Sequence, residues 1–235
     1  MTDVPLKNLQ YYLIHGLKHE RKIRMETEFE KWGLSKTDVL WLTHPNKNEI
    51  PYQQIYKIAD FDNPIVGNPL TPGQIACTYK HYLCLKDIVD NNFEYGIIFE
   101  DNIFFTGNIP NRINEYITQL HTKYPDWDIL FDSNFSIYDE GEITTDCLVY
   151  PKSNYQTVSS HGGSKCAQFY LLTNKCANKM VDNFFPFNVT SDFHMNNLFR
   201  KLDIKSFWAE TPLSNIFPHI STTIKDKSRK MNMIF

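Results

Sequence analysis

Three consecutive polar residues, Glu100, Asp101 and Asn102, directly follow an apolar run that extends from Tyr95 to Phe99. A short apolar run of this kind predicts a strand that is covered on both faces, as strands are in a parallel sheet. Ligands tend to bind at the carboxyl edge of such a sheet, and clustered oxygen atoms suit Mg²⁺ or Mn²⁺ and a diphosphate. The alternative is a polar cluster that only ends a buried strand.

The residues before this run predict elements that would position it. Tyr11–Ile14 and Asp38–Leu42 have the pattern of strands. Between them, Glu20–Lys31 has helical spacing, and Gly33 is the predicted cap of this helix. This β-α-β order predicts a parallel pair of strands with a right-handed crossover.

A second β-α unit leads into the central run. Residues 45–70 contain four prolines and little periodicity, which predicts a long connection. Thr71 and Gln74 form a capping box around Pro72, so a helix is expected from there to about Asn91. This helix would deliver the chain directly into the Tyr95–Phe99 strand.

The second half of the chain also predicts helices that alternate with strands. Residues 135–165 are irregular, apart from a possible small hairpin that includes Cys147–Tyr150. The other predicted elements are a helix around Ile113–Leu120, strands at Trp127–Phe131 and Cys166–Leu172, helices capped by Asn174 and Ser191, and a closing strand at Ile204–Ala209. We therefore predict one α/β domain over residues 1–235, with a core at about 11–224, a charged tail at 225–235, and a central mixed, mostly parallel sheet.

Composition narrows the function classes. The net charge of −3 gives no support to nucleic-acid binding. The five cysteines form no CxxC pair, the first residues are polar, and no apolar run approaches the roughly 20 residues of a membrane span. These features predict a cytoplasmic protein, unless the chain is one piece of a longer polypeptide. An unrelated nucleotide-binding enzyme lacks support, because neither GxGxxG nor GxxxxGK[ST] is present.

Six stretches occur in an order that resembles glycosyltransferase family 25, and the resemblance covers about residues 11–224. They are Glu20–Met25 after the first strand, Leu70–His81, Ile97–Asn102, Trp127–Leu130, Ser164–Tyr170 and Val189–Asp192. The family includes bacterial lipooligosaccharide galactosyltransferases and procollagen galactosyltransferases.

The resemblance implies a GT-A type nucleotide-diphospho-sugar transferase fold, a UDP-sugar donor such as UDP-galactose, Mn²⁺ or Mg²⁺, and inversion at the anomeric carbon. The expected reaction moves a hexose, with galactose as the leading candidate, to a hydroxyl group of a glycan or a collagen-like protein. Glucose and N-acetylhexosamine remain open as donor sugars.

The resemblance also implies residues that bind the donor. Arg21, Glu100, Asp101 and His81 match family positions and are expected to contact the nucleotide or its phosphates. A guanidinium offers a rigid fork of donors for a phosphate, but Arg21 can equally be a solvated charge on a helix face. His81 can equally be a hydrogen-bonded histidine of the core.

For the metal ion, the expected ligands are Asp101, Asn102 and a late histidine, His219, with His194 as another possibility. Asn102 stands where the family has a third acid, and Lys80 stands where it usually has serine. The loss of one negative charge should weaken a divalent ion. A silent relative that binds a nucleotide sugar without transferring it is therefore the alternative function.

An inverting transfer needs a carboxylate that takes the proton of the acceptor hydroxyl. Asp192 matches an aspartate of the family and is the first candidate, with Asp132 as the substitute and Glu210 third. An acid in the first turn of a helix also stabilises the helix dipole without any catalytic role, and that is the alternative for Asp192.

Overall fold

The structure is a computed structural model that describes residues 8–61, 70–132, 149–151, 167–209 and 212–217. Its elements in chain order are β1 Leu9–Ile14, α1 His19–Lys31, β2 Val39–Leu42, α2 Tyr52–Ile58, α3 Pro72–Asp90, β3 Tyr95–Glu100, β4 Ile103–Phe105, α4 Ile109–Lys123, β5 Ile129–Phe131, β6 Val149–Pro151, β7 Phe169–Thr173, α5 Asn174–Val181, α6 Ser191–Leu202, β8 Ser206–Ala209 and β9 Ser214–Ile216.

The main sheet has seven strands in the order β2-β1-β3-β7-β5-β8-β6. Strands β1, β2, β3, β5 and β8 run in one direction, whereas β7 and β6 run against them. The predicted class, an α/β fold with a central mixed and mostly parallel sheet, is therefore confirmed. The predicted parallel pairing of the first two strands is also confirmed, with Tyr11 opposite Val39.

Apolar residues cover both faces of the sheet. In β1 the neighbours Tyr11 and Tyr12 are both buried but belong to different core clusters, as alternation along a strand requires. One cluster lies against α3, α5 and α6, and the other lies against α1 and α4. Burial on both sides explains why β3 has an almost continuous apolar sequence.

Helix α3 begins at the predicted capping box and packs against β3. Its predicted capping box is present: Gln74 N–H donates to the Thr71 hydroxyl, and the Gln74 side chain accepts from Thr71 N–H. The helix packs closely on β3, since a Cβ atom added to Gly96 would lie 2.0 Å from Ile88 Cδ1. This packing brings the first half of α3 to the carboxyl end of β3.

Some elements differ from the prediction. Helix α2 lies inside the segment expected to be a plain connection, and the two-stranded sheet of β4 and β9 was not expected. These elements have only seven and three residues, too few for a periodic signal. The caps of α5 and α6 are Thr173 and Thr190, each one residue before the predicted position.

The edge of the sheet also differs from the prediction. Strand β8 does not close the sheet, because β6 pairs antiparallel on its outer side. The rest of the predicted hairpin, Glu210, His219 and the charged tail lie outside the described residues. Within the described ranges, no helix is long and apolar enough to cross a membrane.

Candidate active site

The carboxyl ends of β1 and β3 form one edge of the sheet, and most of the predicted site residues meet there. Glu100 ends β3, and Asp101 and Asn102 follow it. Helix α1 contributes Arg21 to this edge. Cys77 and His81 from the first half of α3 contact Glu100, and Asp192 from the first turn of α6 lies near it.

Asp101 is held entirely by protein donors. Its carboxylate accepts hydrogen bonds from Gly16 N–H at 2.9 Å, His15 Nδ1 at 2.8 Å and Arg21 Nη1 at 2.5 Å. Only 5% of the residue is exposed. Burial alone would raise the pKa of Asp101, but the hydrogen bonds from His15 and Gly16 and the charge of Arg21 outweigh it, so the pKa is lowered. Asp101 thus ties the end of β3 to the turn after β1.

This arrangement bears on the expected Mn²⁺ or Mg²⁺ ion. Both carboxylate oxygens of Asp101 already accept hydrogen bonds. The side-chain oxygen of Asn102 is buried and has no hydrogen-bond partner among the residues that the structure describes, and His219 lies outside them. Of the predicted ligands, Asp101 and Asn102 therefore offer one neutral oxygen and no free carboxylate oxygen within the described ranges. This pair does not fit a hard divalent ion.

Glu100 points to the other side of the edge, toward α3. Its Oε1 lies 3.2 Å from His81 Nε2 and 3.9 Å from Cys77 Sγ. His81 is fully buried, and its Nδ1 lies 2.8 Å from the Tyr170 hydroxyl. The structure thus places His81 in the core and against Glu100 at the same time.

Asp192 has one occupied and one open carboxylate oxygen. Oδ1 accepts from the Thr190 hydroxyl at 2.6 Å and from Phe193 N–H at 3.0 Å. In the described part of the chain no donor contacts Oδ2, and the residue is partly exposed. Burial raises the pKa of Asp192, and the nearby charge of Glu100 also raises it. The two acids therefore lie close enough to influence each other.

Asp132 lies apart from this group. Only 1% of it is exposed, and its carboxylate accepts from the Tyr116 hydroxyl, from Leu213 N–H, and from both the N–H and the hydroxyl of Ser214. Burial raises its pKa. These donors fix the segment that leads into β9, so the contacts of Asp132 are those of a structural acid.

Two cations near Asp101 were not predicted as site residues. Lys80 is 3% exposed, its Nζ donates to the carbonyl oxygen of His15 at 2.8 Å, and the described residues give it no ion pair. Arg24 donates to the carbonyl oxygen of Asp101 and lies 4.1 Å above the Phe217 ring. Burial lowers the pKa of both side chains. The sequence signal that could have pointed to Lys80 is its departure from the family pattern, which usually has serine at this position.

A cleft of about 390 Å³ lies beside this edge. His15, Trp41 and Thr43, at the ends of β1 and β2, form part of its wall, with charged side chains of α1 around them. His15 belongs both to the cleft and to the Asp101 network. The other predicted histidine, His194, donates from Nε2 to the Phe184 carbonyl oxygen, and burial lowers its pKa to about 4. The described contacts of His194 are therefore with the core around Phe184 and not with the site residues at this edge.

Comparison with known proteins gives a consistent assignment. Over 126 residues the chain is 27% identical to procollagen galactosyltransferase 1-A of Xenopus laevis, a match that covers 52% of this chain and 20% of that protein. It is 23% identical over 179 residues to a probable inactive glycosyltransferase 25 family member 3 of Rattus norvegicus, covering 72% and 31% respectively. The chain thus spans a third or less of the length of these relatives.

Among solved structures, A197 from STIV matches with a TM-score of 0.49 and 8% identity, covering 88% of this chain and 85% of that one. A likeness at this level adds nothing to the fold described above. Residues 10–195 match the family described as glycosyltransferase family 25 (LPS biosynthesis protein). This match includes every candidate site residue in the described ranges, and the chain belongs to glycosyltransferase family 25.

Proposed function

We propose that this chain transfers a hexose, with galactose as the leading candidate, from a UDP-sugar to an acceptor hydroxyl with inversion of configuration. The observation that carries the proposal is the partly exposed carboxylate of Asp192, which lies near Glu100 at the open edge of the sheet. In a chain of a glycosyltransferase family, a partly exposed carboxylate with an oxygen that no described donor contacts suits the proton acceptor that an inverting transfer requires.

The cleft beside His15 and Trp41 supplies a place for the nucleoside. Its volume of about 390 Å³ lies in the range of small-molecule pockets, and the Trp41 ring offers a flat apolar wall. From there the diphosphate would extend toward Asp101 and its surrounding cations. Lys80 and Arg24 carry the charge that such an anion needs.

In the proposed reaction the acceptor oxygen attacks the anomeric carbon while the bond from that carbon to the β-phosphate oxygen of UDP breaks. The proton of the acceptor hydroxyl passes to Asp192, and Lys80 and Arg24 stabilise the charge that develops on UDP. Glu100 is proposed to contact the donor. Arg21 and Asp101 are proposed to position the turn after β1, since they are paired with each other.

The acceptor is proposed to be a sugar of a growing glycan or a hydroxylysine-bearing collagen-like protein. We place the reaction in the cytoplasm, because Cys77, Cys84 and Cys176 are free thiols, as is usual in reducing compartments.

The direct test is donor binding and turnover. We expect UDP to bind in calorimetry, and UDP release from UDP-galactose to rise when a galactose-accepting glycan or a hydroxylysine peptide is added. UDP-glucose and UDP-N-acetylhexosamines serve as comparisons. Failure of UDP and of all these donors to bind would contradict the proposal.

A second candidate, the silent relative, is favoured by one observation: Asp101 is saturated and its neighbour is Asn102 rather than an acid. Restoring the acid with Asn102→Asp separates the two functions when UDP release is measured with and without Mn²⁺. If the chain is an active transferase, the natural chain should release UDP. Turnover in the Asn102→Asp variant alone would establish that the natural chain binds the nucleotide sugar without transferring it.

A further inference from the structure

We propose that Cys77, His81 and Glu100 form a binding site for a divalent transition metal of the zinc class. The proposal shares Glu100 with the proposed donor site but does not rest on the proposed function, because the geometry of the three residues can be tested with a metal alone. It also differs from the oxygen-ligand site expected at Asp101 and Asn102, which lies on the other side of Glu100.

The three residues come together through a simple geometric arrangement. Cys77 and His81 are four residues apart on α3, so they lie on the same face of the helix, one turn apart. Glu100 reaches the same point from the end of β3. Their Sγ, Nε2 and Oε1 atoms all lie within 4.8 Å of one another. Ligand atoms around a tetrahedral zinc ion are separated by about 3.5 Å, given bonds of roughly 2.0–2.3 Å, so only a small contraction is needed.

The ligand types select the metal. A thiolate and an imidazole favour zinc, cobalt and related ions, whereas Mg²⁺ and Mn²⁺ prefer sets of oxygen atoms. Three protein ligands leave a fourth position for water or another small ligand. Cys77 and Glu100 are partly exposed, which gives an ion a path to the site although His81 is buried.

Tyr170 provides the outer support that a metal-binding histidine requires. Its hydroxyl lies 2.8 Å from His81 Nδ1, and the two rings stack with centroids 5.7 Å apart. When Nδ1–H donates to the Tyr170 oxygen, the Nε2 lone pair points toward Glu100 and Cys77. Such hydrogen bonds fix the tautomer and ring orientation of histidine ligands. The opposite tautomer, with Nε2–H donating to Glu100, is the alternative without a metal.

The test uses the purified chain, treated with a chelator under reducing conditions and then titrated with Co²⁺. We expect one equivalent to bind, with a near-ultraviolet charge-transfer band from thiolate to cobalt that disappears when Zn²⁺ is added. In Cys77→Ser the band should vanish and the affinity should fall at least tenfold. Cys84→Ser is the control, because Cys84 is a buried thiol of the same helix that does not belong to the group of Cys77, His81 and Glu100.

A second measurement needs no variant. Zn²⁺ should protect Cys77 from alkylation in the natural chain, as read by mass spectrometry of the digested protein, while Mg²⁺ should not. Binding of Co²⁺ without a thiolate band, a band that persists in Cys77→Ser, or alkylation of Cys77 that Zn²⁺ does not slow would each overturn the proposal.

Discussion

Asp101 and Asp192 lie at the same edge of the sheet, yet their carboxylates are held in opposite ways. Asp101 accepts three hydrogen bonds, from the turn after β1 and from Arg21, and its pKa is lowered. Asp192 has an oxygen with no donor in the described ranges, and burial raises its pKa. The first acid joins two elements, whereas the second can exchange a proton.

This difference shows why an acid in a motif cannot be assigned a chemical role from its position alone. Asp132 also follows a strand, but it resembles Asp101, because both of its carboxylate oxygens accept hydrogen bonds from buried donors. Removal of a saturated acid leaves its donors unpaired in the interior, and the main consequence is lost stability. Removal of an open acid should affect chemistry more than folding.

The largest effect is expected for Asp101→Ala. The change removes the buried carboxylate that pairs with the Arg21 guanidinium and the His15 ring, so the free energy of unfolding should fall by about 3–5 kcal/mol. Urea unfolding followed by tryptophan fluorescence measures it. Asp126→Ala is the control, because this exposed acid forms an ion pair with exposed Lys205, and its change should stay within about 0.5 kcal/mol. Equal effects of the two substitutions would contradict the assigned roles.

The next effect concerns Asp192→Asn, and it rests on the proposed function. The amide keeps the size of the side chain but cannot accept a proton, so turnover should fall about 100-fold. UDP affinity in calorimetry and the urea midpoint should remain close to those of the natural chain. Asp182→Asn, on an exposed acid after α5, should leave turnover unchanged. Full turnover in Asp192→Asn would exclude this residue as the base.

The smallest effect is a separation of two pH dependences. The folded pKa of Asp101 is below its unfolded value of about 3.9. Its stabilising contribution is therefore complete above that value and is lost as the pH falls through the folded pKa. The pKa of Asp192 is raised. As the pH is lowered, Asp192 should therefore be protonated and turnover should be lost before the contribution of Asp101 to stability is lost. Turnover and tryptophan fluorescence measured in the same buffers test this, and coincident transitions would contradict it.

Much of the fold was readable from local patterns. Short apolar runs identified β1, β2 and β3, and the capping box at Thr71 located the start of α3 within one residue. These signals are strong because each one depends on neighbours in sequence. Helix α2 and the β4–β9 pair escaped, since short elements are stabilised by distant contacts rather than by their own pattern.

For the candidate site, the sequence by itself determined which residue types reach the carboxyl edge of the sheet, and the order of its motifs determined the family. Only the tertiary structure decided how those residues are paired. In the structure Asp101 pairs with Arg21, Glu100 lies against Cys77 and His81, and Lys80 is buried against His15. One oxygen of Asp192 has no donor among the described residues. The physical reason is that hydrogen bonds and burial depend on residues far apart in the chain, such as His15 and Asp101 at a separation of 86 positions, and no local pattern encodes them.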